Sequence, residues 1–137
     1  MPVFLDASAL AKRYIRETGS EEVEKLCREA EDITVSALCL AEIISALCGL
    51  RRERTLREDH YESIKKRLLV EFEDLTLCEL APQVIARAVV LLEAHSLRTL
   101  DALQLASALE MNAEMFVSAD ARQIKAARQQ GLAVVTV

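Results

Sequence analysis

The sequence predicts an α/β fold in which a parallel sheet is covered by helices on both faces, a three-layer α/β/α sandwich. Three observations predict it. Short β-rich apolar runs alternate with longer helical patterns along the whole chain. Only 3 Gly and 2 Pro occur, so the chain is globular and rich in regular elements, neither disordered nor collagen-like. The 137 residues are 52% hydrophobic, enough for one well-filled core, so residues 1–137 read as a single domain.

The elements follow in order. Pro2–Leu5 is an apolar strand, and Ser8–Glu17 a helical pattern behind it. Ser20–Glu31 is a second helix, with Ser20 placed to cap and acids in the first turn. Ile33–Val35 is a buried strand leading into a largely apolar helix, Ser36–Glu53. The charged, amphipathic stretch Leu56–Phe72 is the next helix. Leu75–Cys78 is the weakest strand candidate. Pro82 opens a helix to His95, since proline suits a first helical turn. Thr99–Met111 is a helix, Met115–Val117 a strand, and Asp120–Gln130 a helix closed by Gly131. Ala133–Val137 is the last strand. No repeat or linker divides the chain.

Composition narrows function mainly by exclusion. A net charge of −5 disfavours a charge-driven nucleic-acid coat protein, but not a nuclease whose acids hold metal ions. Cys27, Cys39, Cys48 and Cys78 form no C-x-x-C pair and read as buried thiols of a reducing compartment. Two histidines are too few for an ordinary zinc site. The N-terminus has no basic lead-in, and Asp6 breaks its apolar run, so it is a poor signal peptide. Ile33–Leu50 has 18 residues and one charge, Glu42. A strand followed by a helix explains that stretch better than a membrane span, since a charge near the middle would cost about 2.5–3.5 kcal/mol. The expectation is a cytoplasmic protein without a membrane partner.

Parallel strands end on one edge of the sheet, and in open α/β sheets ligands bind outside that edge. Four acids stand alone in otherwise uncharged stretches near it: Asp6, Glu42, Asp101 and Asp120. Asp6, Asp101 and Asp120 each fit a helix-capping or first-turn position. Glu42 in SALCLAEIISAL does not. It is read as lying inside its helix on an apolar face, with no cation three or four residues away, so it needs a tertiary partner. Four converging carboxylates repel unless some are protonated or a cation joins them. Oxygen donors without His or Cys suit Mg²⁺ or Mn²⁺. The chemistry of such a set is phosphodiester hydrolysis by metal-activated water, with no side-chain nucleophile.

The same residues resemble a known family. FLDASALAKRY, VSALCLAEIISAL, RTLDALQLASAL and FVSADARQIKAARQQGLAVV are similar, in order and over the whole chain, to the motif blocks of PIN-domain ribonucleases, especially VapC-type toxins of toxin–antitoxin pairs. The resemblance implies a five-stranded parallel sheet in the order 3-2-1-4-5. It implies that Asp6, Glu42, Asp101 and Asp120 hold Mg²⁺ or Mn²⁺, Asp6 and Asp101 most directly, and serve as the catalytic acids. Ser8 and Ser118 would orient carboxylates or water, plain helix capping being an equal reading for Ser8. The implied activity is endoribonucleolytic cleavage of single-stranded or looped RNA, leaving a 5′-phosphate. The implied partners are RNA, a VapB-type antitoxin and a second copy in a homodimer. Ala7 and the turn MNAEM depart from the usual pattern without removing an acid.

Lys12, Arg13, Arg16, Arg51, Arg52, Arg54, Arg57, Lys65, Lys66 and Arg67 are candidate phosphate contacts. The acids interleaved among them favour solvated ion pairs for most. With 2 Tyr and 3 Phe, no large base-stacking platform is expected. Rival readings are a catalytically silent PIN-like binding or scaffold module, a receiver-type phosphotransfer domain and a dehalogenase-like phosphatase. The receiver lacks its acid at a middle strand end and its late lysine. The phosphatase lacks D-x-D, because Ser8 fills the second position.

Overall fold

The computed structural model describes residues 2–137. Five parallel strands form one sheet in the order β3-β2-β1-β4-β5. They are β1 (Pro2–Leu5), β2 (Asp32–Ser36), β3 (Thr76–Cys78), β4 (Met115–Ser118) and β5 (Ala133–Thr136). The helices are α1 (Ala7–Leu10), α2 (Ser20–Glu29), α3 (Cys39–Arg52), α4 (Glu58–Phe72), α5 (Pro82–Ala94), α6 (Thr99–Glu110) and α7 (Ala121–Gln129).

Alternation along the strands divides the core in two. Val3, Leu5, Val35 and Val117 point to one face and pack with Leu10, Val23, Ile43, Leu47, Ile64 and Leu68 from α1 to α4. Phe4 and Phe116 point to the other, with Val84, Leu91, Leu105, Ala108 and Ala126 from α5 to α7. Phe4 and Phe116 are register partners on β1 and β4, and their rings stack at 5.8 Å. Chain connections leave β1 toward one face and β4 toward the other. The cleft between those strand ends is therefore the sheet's switch point, where α/β folds bind ligands.

Three local expectations change. The expected helix from Ser8 to Glu17 is only α1, tightening into a 3-10 turn at Ala11–Arg13. Beyond it the chain folds back so that the buried Lys12 Nζ donates to the Thr18 carbonyl at 2.7 Å and pairs with Glu17 at 3.2 Å. Ser20 does not cap α2, whose N-cap is Gly19. Its hydroxyl instead accepts from the Glu17 amide at 2.9 Å, closing the turn before the helix. Helix α3 starts at Cys39 rather than Ser36, because Ser36 completes β2 and its hydroxyl accepts from the Leu38 amide at 3.1 Å. Glu42 accordingly lies in the first turn of α3. Ile33–Leu50 is divided between β2 and α3 as read, and among the described residues no helix is long and apolar enough to cross a membrane.

Candidate active site

Asp6 follows the last residue of β1 and is 2% exposed. It is the N-cap of α1, with Oδ1 accepting from the Ala9 amide at 2.9 Å and the Ser8 hydroxyl at 2.7 Å. Its Oδ2 accepts from the Ser118 hydroxyl at 2.6 Å, across from the end of β4. Burial pushes the Asp6 carboxyl up to about 6, against the pull of these three hydrogen bonds, and the charge of Asp120 adds to the rise. Capping and burial thus coexist at Asp6.

Ser8 and Ser118 tie the two strand ends together. The Ser8 hydroxyl accepts from the Ala119 amide at 3.0 Å while donating to Asp6. The Ser118 hydroxyl accepts from the Asp120 amide at 3.0 Å while donating to Asp6. Asp120 is the N-cap of α7, its Oδ1 accepting from the amides of Arg122 and Gln123 at 2.9 and 3.1 Å. Asp101 lies in the first turn of α6, with Oδ2 3.4 Å from the Arg98 amide.

Glu42 is half-buried, and its tertiary partner is an amide and not a cation. Gln104 Nε2 donates to Glu42 Oε1 at 3.0 Å. Burial raises the Glu42 carboxyl, the Gln104 hydrogen bond opposes it, and the charges of Asp6 and Asp101 raise it further. Asp101 is raised by burial first and then by Asp120. Asp6, Glu42 and Asp101 are therefore each raised by the charge of at least one other acid of the set. Among the described residues none of the four is in an ion pair with a Lys or Arg.

Two glutamines went unread in the sequence. Gln104 and Gln123 are each 2% exposed. Gln123 Nε2 donates to the Asp101 carbonyl at 3.0 Å, and its Oε1 stands 3.4 Å from the Ser118 hydroxyl, so it braces α7 against α6 and β4. The signal was available. DALQ and DARQ set each glutamine three residues after an acid, hence on the same helical face.

As donors, the four acids fit a hard divalent cation. They offer only oxygen, and among the described residues no Lys or Arg is ion-paired with them, although the charges of Arg98 and Arg122 pull Asp101 down. Glu42, Asp101 and Asp120 each engage the protein through one oxygen, leaving the other. Among the described residues, however, no three His, Cys, Asp or Glu side chains stand close enough as placed to share one ion. Binding through all four requires side-chain rotation or intervening water.

A family profile described as PIN domain matches residues 3–129. The chain belongs to the PIN-domain family. Among curated relatives, this PIN domain is 31% identical to Ribonuclease VapC46 of Mycobacterium tuberculosis, covering 97% of this chain and 95% of that protein. Its backbone is similar to that of M. tuberculosis VapC20, described as a Sarcin-Ricin loop cleaving toxin. The TM-score is 0.71 at 14% identity, covering 98% of this chain and 99% of that one. A chain of a toxin–antitoxin complex from Klebsiella pneumoniae matches with TM-score 0.70 and 16% identity, covering 98% and 96%. The PIN fold and the strand order 3-2-1-4-5 expected from the motif blocks are both present.

Proposed function

We propose that this PIN domain is a Mg²⁺- or Mn²⁺-dependent endoribonuclease cleaving single-stranded or looped RNA, the toxin of a VapBC-type pair. The observation that carries the reading is Asp6. A carboxylate kept 2% exposed at the switch point, at a cost to its own ionisation and raised further by the charge of Asp120, is a liability to the fold that a bound cation would relieve. Relatives named as ribonucleases support the activity.

Asp6 and Asp101 would be the most direct metal ligands, with Glu42 and Asp120 acting directly or through water. The bound ion would supply a more acidic water and charge compensation at phosphorus. The chain's own contribution is positional. Ser8 and Ser118 hold both oxygens of Asp6, the α7 amides hold Asp120, and Gln104 holds Glu42. These contacts hold Asp6 in place, while the single-oxygen contacts of Glu42 and Asp120 leave room for the rotation or bridging water that metal binding needs.

Cleavage of an end-labelled structured RNA, with Mg²⁺, Mn²⁺ or EDTA, tests the reading. Cutting that needs the metal, leaves 5′-phosphates and disappears in Asp6→Asn is the expected result. Folded protein that binds RNA but neither cuts it nor takes up metal by calorimetry is a silent binding module, the reading favoured by the spread of the acids.

Partners follow from the relatives and the surface. Solved structures that match include toxin–antitoxin complexes, which supports a VapB-type antitoxin as inhibitor. Helix α5 leaves Ile85, Val89 and Leu92 exposed along one stripe, which supports a second copy as partner.

A further inference from the structure

Away from the four acids, the molecule has a cavity of about 290 Å³ between the α5–α6 connection and α7, lined by Ala94, His95, Ser96, Arg122, Lys125, Ala126 and Gln129. Arg122, Lys125 and Gln129 fall at positions i, i+3 and i+7 of α7 and so form one face of that helix. We propose that this cavity binds backbone phosphates of single-stranded RNA beside the scissile bond, with Arg122 and Lys125 as the phosphate ligands.

The distribution of charge carries the assignment. Eight of the 17 Lys and Arg residues are in ion pairs, including Lys12, Arg13, Arg16, Arg51, Arg57, Lys65 and Arg67 from the helices nearest the N-terminal half. Of the nine without such a pair among the described residues, Lys25, Arg28, Arg52, Arg54 and Lys66 are spread over α2, the end of α3 with the turn after it, and α4, whereas Arg98, Arg122, Lys125 and Arg128 gather at the start of α6 and along α7. In a chain of net charge −5, cations held without carboxylate partners on one side of an acidic site mark where an anion is expected. Arg122 joins the two places. It lines the cavity, its amide donates to Asp120 Oδ1 at 2.9 Å, and its charge pulls the Asp101 carboxyl down.

Chemistry gives the reason for the pairing. Carboxylates that hold a metal repel every phosphate except the one the metal contacts, so an RNA chain must find its neighbouring phosphates compensated elsewhere. Guanidinium and ammonium groups on α7 supply that without reading bases, in keeping with a protein that has few aromatic residues for stacking. His95 and Ser96 add hydrogen-bonding groups at the cavity wall, suited to a ribose or phosphate oxygen.

The choice of RNA rests on the proposed nuclease reading, so the test is a binding assay that involves no cleavage. A fluorescently labelled single-stranded RNA is titrated in EDTA with wild type, Arg122→Gln/Lys125→Gln, and Lys25→Gln/Arg28→Gln. The last pair is exposed, unpaired and on α2, across the sheet. Circular dichroism checks folding. The cavity double variant should bind at least about 10-fold more weakly, and its slope of log K against log salt should fall by about 1.4, roughly 0.7 per lost phosphate contact. The α2 variant should match wild type. Equal binding by the cavity variant, or equal loss in both variants, overturns the assignment. An acidic peptide that binds wild type and not the cavity variant, while RNA binds both, gives the cavity to a protein partner instead. Metal-dependent cutting with RNA affinity unmoved by the cavity variant sinks this inference alone. A cavity-dependent RNA affinity without any cutting sinks the nuclease reading alone.

Discussion

Asp6 illustrates how a single side chain can work against the fold that holds it. Its carboxyl is ordinary in the unfolded chain, near 3.8, and about 6 in the folded one. Below pH 3.8 it is protonated in both states and carries no penalty. Between about pH 3.8 and 6 the unfolded chain ionises while the folded carboxyl stays protonated, so stability falls by about 3 kcal/mol across that window and no further above it. Asp6→Asn keeps an acceptor for the Ala9 amide and removes the charge. Without divalent metal it should be about 1–3 kcal/mol more stable than wild type at pH 7 and no more stable at pH 3. Adding Mg²⁺ should raise the melting temperature of wild type only. Thermal melts at the two pH values check this, and a destabilised Asp6→Asn at pH 7 would count against it.

Gln104 carries a related cost. Its Nε2 serves Glu42, but its Oε1 is buried without a hydrogen-bond partner among the described residues. A lone buried acceptor costs about 1–3 kcal/mol. Around it on α6 lie Ala102, Leu105, Ala106 and Ala108, all buried, so a leucine would suit the surroundings better. The amide is explained by Glu42. Gln104→Leu should leave stability unchanged or higher while weakening Mg²⁺ affinity about 10-fold or more. Calorimetry on the folded variant reads both, and unaltered metal affinity would make Gln104 a packing residue.

At the scale of elements, the two glycines at left-handed positions separate conformation from contact. Gly131 closes α7 at φ +86°, and a Cβ there would meet nothing within 4 Å. Gly19 caps α2 at φ +92°, and a Cβ would lie 2.9 Å from the carbonyl carbon of Val137 and 3.2 Å from the Lys12 stem. Gly131→Ala should cost only the left-handed strain, about 1 kcal/mol. Gly19→Ala should cost more, because the α2 start and the chain end must also move apart. Chemical denaturation of the two variants gives the order directly, and equal losses would remove the steric part.

The same contrast accounts for what the sequence made legible. Strands and long helices were readable because their signal is local: apolar runs for β1, β2 and β4, amphipathic period for α4, Asp120 and Gly131 as the cap and stop of α7. The four acids were readable as charges in apolar surroundings, though their geometry was not. The boundary errors came from short-range turn hydrogen bonds, between residues six, three and two apart, that compete with helix continuation. Lys12 reaching Thr18 ends α1 early, Ser20 serves the preceding turn, and Ser36 finishes a strand instead of starting a helix. Glu42 was legible as needing a tertiary partner, but Gln104 was not, because such a partner leaves no mark at helical spacing.

For the whole molecule, the two faces of the sheet differ in how their helices meet solvent. Helix α4 carries charged residues outward, and its Lys65 and Arg67 are held in ion pairs. Helix α5 carries one Arg and one Glu, and Arg87 is already taken by Glu110 at 2.6 Å. Ile85, Val89 and Val90 remain 45%, 51% and 61% exposed on α5. An uncharged apolar helix stripe left open is a hazard to a monomer. A second copy would cover it, since a two-fold axis sets the same apolar patch against itself with few charges to desolvate. Wild type should therefore run as a dimer in light scattering. Val89→Glu should run as a monomer with unchanged circular dichroism and unchanged Mg²⁺ affinity, because Val89 is exposed on α5 and takes part in none of the hydrogen bonds that hold the four acids. A monomeric wild type would overturn the dimer, and loss of metal affinity in Val89→Glu would mean that α5 supports the site through α6, against which it packs.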